Sequence, residues 1–157
     1  MRKSVLLSIC ILVCFACSRN VDISNQIVYL EDGTEVLSSD FIDQKEFSIV
    51  VFTDGECSSC MLELKWWQDF FNSIKKEGLQ YLYVINTKST EKFLLFRMKQ
   101  IAAYPVILEE SYSIRAENKL KSNTTAIVIN KNQEIIYQGN PLKSKEQVKF
   151  KALIDEI

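Results

Sequence analysis

The chemistry open to this chain is concentrated in two cysteines. Cys57 and Cys60 are separated by two residues, and the 157 residues include no histidine and only three more cysteines, Cys10, Cys14 and Cys17. A Cys-x-x-Cys spacing lets the backbone turn so that both sulfurs meet at disulfide distance at a helix N-terminus. There the unpaired N–H groups of the first turn and the helix dipole favour a thiolate on the first cysteine. The second lies one turn further in, shielded, and is placed to attack a mixed disulfide formed on the first. Cys57 is thereby the expected nucleophile and Cys60 the expected resolving residue. A zinc site is a poor alternative, because the rest of the chain offers no histidine and few cysteines as further ligands. A purely structural disulfide stays open, although closing so small a loop constrains the unfolded chain very little.

The other three cysteines belong to a different segment. Arg2 and Lys3 precede an apolar stretch, Val5 to Ala16, broken only by Ser8. That stretch is too short to span a hydrocarbon layer of about 30 Å, but it suits the core of a signal peptide. Its end, Cys14-Phe15-Ala16-Cys17-Ser18, resembles the lipobox of bacterial lipoproteins, with Cys14 where such motifs usually carry Leu. The resemblance implies cleavage after residue 16 and lipidation of Cys17. A plain secreted protein and a retained short anchor are the alternatives. Cleavage would leave Cys57 and Cys60 as the free sulfurs, facing an oxidising extracytoplasmic compartment. It would also remove Arg2 and Lys3, so that 19 basic residues become 17 against 20 acidic ones, a net −3. Such a balance does not suit neutralisation of nucleic-acid phosphates.

One domain must hold the pair, since 157 residues are too few for two comfortable cores. The expected organisation is a signal peptide at 1–16, a polar lipidated tether at 17–26 and a single folded domain at 27–157. Ile27 to Leu30 and Glu35 to Leu37, around Glu31-Asp32-Gly33-Thr34, read as a small hairpin. Phe47 to Phe52 suits a buried central strand. From Cys60 to Lys76 the chain has neither Gly nor Pro, and Leu64, Trp67, Phe71 and Ile74 recur at helical spacing, with Gly78 as a natural stop. Leu79 to Ile85 reads as a strand, Thr90 to Ala103 as a helix (apolar at Phe93, Leu94, Met98 and Ile101), Tyr104 to Leu108 as a short strand, and Tyr112 to Leu120 as another short helix. Thr125 to Ile129 and Ile135 to Gln138 form a hairpin. Lys143 to Ile157 closes as an amphipathic helix with Val148, Phe150, Leu153, Ile154 and Ile157 on its apolar side. This alternation predicts an α/β fold: a central mixed sheet, helices on both faces, and a C-terminal hairpin and helix.

Val50-Val51-Phe52-Thr53-Asp54-Gly55-Glu56-Cys57-Ser58-Ser59-Cys60 resembles the active-site strand, loop and helix start of thioredoxin-like proteins. The nearest type is the membrane-tethered bacterial thiol–disulfide oxidoreductases of the AhpC/TSA and TlpA/ResA kind. The similarity continues through Tyr104-Pro105-Val106-Ile107-Leu108 and through Thr124 to Gly139, the family's last hairpin, and spans roughly 28–157. It implies an extracytoplasmic exchange of disulfides with protein substrates, supported by an upstream redox partner. Four positions depart from the family pattern. Thr124, preceded by Asn123, falls where the family has a cis-proline. A non-proline cis bond costs about 2.5–4 kcal/mol, so a trans bond is expected there. Glu56 replaces the usual aromatic residue before the first cysteine, and a carboxylate so close disfavours a thiolate. Val51 replaces the buried acid of thioredoxins proper, and Gln133 a turn glycine. The peroxidase motif of the same fold does not match, because Thr53 stands four residues before Cys57 instead of three.

Around the pair, Glu56, Ser58, Ser59, Asn123 and Thr124 are the expected surroundings. Met61 and Leu62 could seat an apolar substrate segment. Trp66 and Phe70 lie on a second stripe of the same helix, either packed under a loop or exposed to a partner. Lys119/Lys121 and Lys143/Lys145 read as solvated faces. With four glycines and no phosphate-cradling loop, nucleotide binding is not expected. No cofactor or metal is called for. The competing reading is a non-catalytic binding module that keeps the fold and a structural disulfide.

Overall fold

The computed structural model describes residues 19–74, 76–88 and 105–157. The expected signal peptide, Cys17 and the helix expected at Thr90 to Ala103 lie outside them. Phe47–Asp54 forms the central strand β3, flanked on one side by β4 (Leu79–Asn86), parallel to it, and on the other by β6 (Ala126–Asn130), antiparallel. Outward from β4 come β5 (Val106–Glu109, parallel), β1 (Ile27–Tyr29) and β2 (Glu35–Leu37). Outward from β6 comes its hairpin partner β7 (Ile135–Gly139). The sheet is mixed, in the order β2-β1-β5-β4-β3-β6-β7.

The near-continuous apolar run of β3 follows from its position, because both faces of the sheet are covered. Ile49 and Val51 point into one core with Leu64, Trp67 and Phe71 of α2 (Ser58–Ile74) and with Phe150 and Ile154 of α4 (Ser144–Glu156). Val50 and Phe52 point into the other, against Phe41 and Ile42 of α1 (Ser38–Ile42) and Ile114 of α3 (Ser113–Glu117). The expected apolar face of α2 is the buried one, with Ile74 half-buried at its end. On α4 the expectation needs one correction. Val148 is 70% exposed, because it lies about 200° around the helix from Phe150, at 100° per residue. Gly78 takes φ +83° in the turn into β4, and Gln133 takes φ +61° in the β6–β7 turn, a left-handed conformation that the family's glycine adopts without strain.

The described part of the expected tether, residues 19–26, lies against the domain. Val21 and Ile23 are buried in the second core, Asn20 forms a bridge with Glu134, and the Arg19 guanidinium donates to the carbonyls of Asn118 and Lys119. Ser38, at the start of α1, donates from its hydroxyl to the Ile23 carbonyl and accepts from the Gln26 amide. Among the described residues no helix is long and apolar enough to cross a membrane.

Trp67 is 1% exposed and meets Phe70, Phe71 and Phe150 with ring centroids 5.5–6.0 Å apart. Trp67→Ala is expected to cost about 3–5 kcal/mol of folding stability, whereas Val148→Ala should stay within about 0.5 kcal/mol. Urea unfolding followed by far-ultraviolet circular dichroism distinguishes the two.

Candidate redox site

The redox loop begins where β3 ends. Gly55 donates its amide to the Asn86 carbonyl at 2.8 Å, the Cys57 amide reaches the Asp54 carbonyl at 3.3 Å, and α2 starts at Ser58. A disulfide joins Cys57 and Cys60, with Cα atoms 5.2 Å apart. Both cysteines are half-exposed, so the expected contrast between an open and a shielded sulfur is not one of burial. Their hydrogen bonding separates them instead. The Cys60 amide donates to Cys57 Sγ at 3.2 Å, and Ser59 Oγ lies 3.2 Å from the same sulfur. Donors of the first helical turn therefore converge on Cys57. Ser58 and Ser59 are exposed.

Five further hydrogen bonds fix the loop. Thr53 donates its hydroxyl to the Cys60 carbonyl at 3.3 Å, from beneath the first turn of α2. Asp54 accepts the Glu56 amide at 2.9 Å and the Tyr112 hydroxyl at 2.6 Å. That bond to a carboxylate holds the Tyr112 phenol above its usual range. Glu56 accepts from Thr87 Oγ1 at 2.6 Å and from the Lys88 amide at 2.9 Å. Its carboxylate thus clamps the loop onto the end of β4, a structural part that the sequence did not suggest. Behind the loop, the Arg115 guanidinium lies 5.1 Å from the centroid of Phe52 and 5.9 Å from that of Tyr112, near enough for cation–π attraction. Burial lowers its pKa.

Thr124 joins the site through strand register. Val51 pairs with Ala126, and the Phe52 amide donates to the Thr125 carbonyl, so the pairing continues to place Thr124 opposite Thr53. It is buried, accepts from Gln138 Nε2 at 2.8 Å, and follows an exposed Asn123. Val51, at the place of the family's buried acid, is a core residue. Met61, expected to help seat a substrate, is 6% exposed and packs into the core under α2, so of these two residues Leu62, 75% exposed, is the one that presents an apolar side chain to solvent. Trp66 and Phe70 stack at 5.3 Å, half-buried, with Phe70 also against Phe150 of α4. The helix therefore packs this second stripe in part.

Tyr112, Thr87 and Glu109 were not singled out from the sequence. Glu109 is buried and accepts the Ile114 amide at 3.0 Å and the Ser113 hydroxyl at 3.2 Å, capping α3. An Asp-Gly pair just after a strand signals a turn, but nothing local links Asp54 to a tyrosine 58 positions away.

No protein-family model matches the chain, and no curated protein matches it in sequence. Solved structures do match its fold. The exposed lipoprotein thioredoxin of Streptococcus pneumoniae superposes with a TM-score of 0.60 at 16% identity, covering 83% of this chain and 98% of that one. A thioredoxin from Wuchereria bancrofti gives 0.61 at 17% identity, with 85% and 97% covered. The thioredoxin domain of a thiol–disulfide oxidoreductase from Bacteroides vulgatus gives 0.54 at 16% identity, with 76% and 86% covered. The fold is thioredoxin-like. A close cysteine pair at a helix start in this fold is consistent with a thiol–disulfide oxidoreductase.

If the Glu56 carboxylate clamps the loop, Glu56→Ala should speed hydrogen exchange at the Lys88 amide by about tenfold, the loss of roughly 1.4 kcal/mol of local protection. Exchange in the strand β6 should be unchanged, and mass spectrometry or NMR would read both.

Proposed function

We propose that this protein exchanges disulfides with protein substrates outside the cytoplasm, as a membrane-tethered bacterial oxidoreductase whose Cys57/Cys60 pair cycles between dithiol and disulfide. The observation that carries the reading is the setting of the pair: two joined, half-exposed cysteines, one just before a long helix and one in its first turn, with the Cys60 amide aimed at Cys57 Sγ. In the reduced state the same amide and the Ser59 hydroxyl stabilise negative charge on Cys57. The thiolate attacks one sulfur of a substrate disulfide. That bond breaks, the other substrate sulfur leaves as a thiolate, and a Cys57–substrate disulfide forms. Cys60 gives its proton to solvent and attacks Cys57 Sγ, expelling the second substrate sulfur. Two electrons have then passed from the pair to the substrate, and the Cys57–Cys60 disulfide has returned. A dithiol on an upstream protein restores the pair by the same steps in reverse.

Ser58, Ser59, Glu56, Asn123 and Thr124 surround the reacting sulfurs in this reading. Leu62 offers the apolar contact for a substrate segment, with the half-buried Trp66/Phe70 stack further along the same helix. Lipidation of Cys17 would hold the domain at the membrane surface, on the periplasmic or cell-surface side. The likeness to a pneumococcal protein described as an exposed lipoprotein thioredoxin supports that placement.

Cys60→Ser should trap a mixed disulfide with protein substrates, visible as Cys57-dependent, reductant-sensitive adducts on non-reducing gels, and Cys57→Ser should form none. Either substitution should lower turnover of insulin disulfides by at least about a hundredfold. A pair that never cycles despite accessible thiols would leave the non-catalytic binding module as the function. Cys17→Ala should release the protein from the membrane fraction and abolish labelling with a fatty-acid analogue.

A further inference from the structure

The two lysine groups that read as separate solvated faces in the sequence each send one member to the same cleft. Lys121, just before Thr124, and Lys143, just before α4, line a cavity of ≈ 320 Å³ together with Asn123, Thr124, Gln138 and Glu146. We propose that this cleft selects substrates, by receiving an acidic side chain next to the substrate cysteine. The proposal rests on the exchange reading above and names its substrate class: disulfide-bearing protein segments with Asp or Glu beside the reacting cysteine.

Three observations carry it. The first is location. Thr124, part of the cleft lining, continues the β3–β6 pairing to the position opposite Thr53, whose hydroxyl holds the Cys60 carbonyl, and this ties one wall of the cleft to the first turn of α2. The second is charge. Of the three ionisable groups lining the cleft, Glu146 is already engaged: it lies 3.4 Å from the Tyr137 hydroxyl and 3.8 Å from Lys149 Nζ. Burial first, and then that carboxylate, push the Tyr137 phenol up to about 12, so it remains a neutral donor to Glu146. The ammonium groups of Lys121 and Lys143, both on exposed residues, make no hydrogen bond or ion pair among the described residues. The third is rigidity. Gln138 donates to the buried Thr124 hydroxyl at 2.8 Å and so fixes that wall of the cleft. A small residue at the floor keeps the cleft open, since a Cβ on Gly139 would lie 2.5 Å from the Tyr137 hydroxyl and 2.9 Å from Glu146 Oε2. The net charge of −1 over the whole chain argues for a short local contact and against a polyanion as occupant.

The test uses the full-length protein, purified in detergent and reduced, with three disulfide-linked peptide dimers that differ only in carrying Glu, Gln or Lys beside the cysteine. Exchange is measured by acid quenching at 0.15 M salt. The expected kcat/KM order is Glu, Gln, Lys, with Glu over Gln by about five- to tenfold, as two partly screened charge pairs allow. The difference should reside in KM. In Lys121→Glu/Lys143→Glu the order should invert, and in Lys121→Gln/Lys143→Gln the Glu-to-Gln ratio should fall to about one. Lys145→Glu, outside the cleft lining, should change that ratio by less than about twofold, which separates the cleft from a general charge effect. Equal rates for the three peptides in the unmodified protein would overturn the proposal and leave the exchange reading intact. So would a Glu-to-Gln ratio that survives both double substitutions. Absence of exchange with all three peptides would overturn both.

Discussion

The redox loop can exist in this fold because two strand ends come unusually close at one glycine. A Cβ on Gly55 would lie 3.1 Å from side-chain atoms of both Ile85 and Thr87 and 3.3 Å from the Asn86 carbonyl oxygen. Without a side chain at this position the backbone reaches Asn86, the parallel pairing of β3 and β4 runs to its last residues, and Glu56 arrives where it can clamp Thr87 and Lys88. The direction in which α2 starts follows from that contact. So does the position of both sulfurs, since they lie in its first turn and the turn before it. Interior packing then holds the helix: Leu64, Trp67 and Phe71 are anchored in a core that tolerates little displacement.

Much of this architecture was legible from periodicity. A run such as Phe-Ser-Ile-Val-Val-Phe has few alternatives to a strand covered on both faces, and the spacing of Leu64, Trp67 and Phe71 named the buried face of α2. The mixed sheet with a terminal hairpin and helix followed from element order. Short or long-range features were not legible. The helix α1 has five residues, fewer than two turns, and offers no period to detect. Met61 looked available because it adjoins the sulfurs, yet the turn of the helix carries it to the buried side while leaving Leu62 in solvent. Val148 looked apolar and therefore packed, although its angular position on α4 excludes it. A carboxylate such as Glu56 is ambiguous in sequence, because whether it acts on a neighbouring thiolate or on a distant backbone amide depends on where the loop turns.

The departures from the family pattern are accommodated in different ways. At Val51 the substitution is simple: the side chain joins an apolar core, and a buried acid with its desolvation cost is absent. At Gln133 the backbone keeps the left-handed turn that a glycine would adopt, and the side chain and carbonyl are used by the segment at 21–23, whose amides they accept. At Thr124 a polar hydroxyl stands where a ring would be, satisfied as an acceptor by Gln138.

The early segment has a geometric implication for an anchored protein. Asn20 meets Glu134, next to the β6–β7 turn, and that turn lies at the end of the sheet where β3 begins, because Asn130 pairs with Phe47. The cysteines lie at the other end, beyond the eight residues of β3, a span of about 26 Å at 3.3 Å per residue. An acyl chain on Cys17 would be three residues from Asn20, on the order of 10 Å at full extension. Under the proposed lipidation of Cys17, so short a leash would set the hairpin turn on the side of the lipid headgroups and the cysteine pair on the side away from the bilayer.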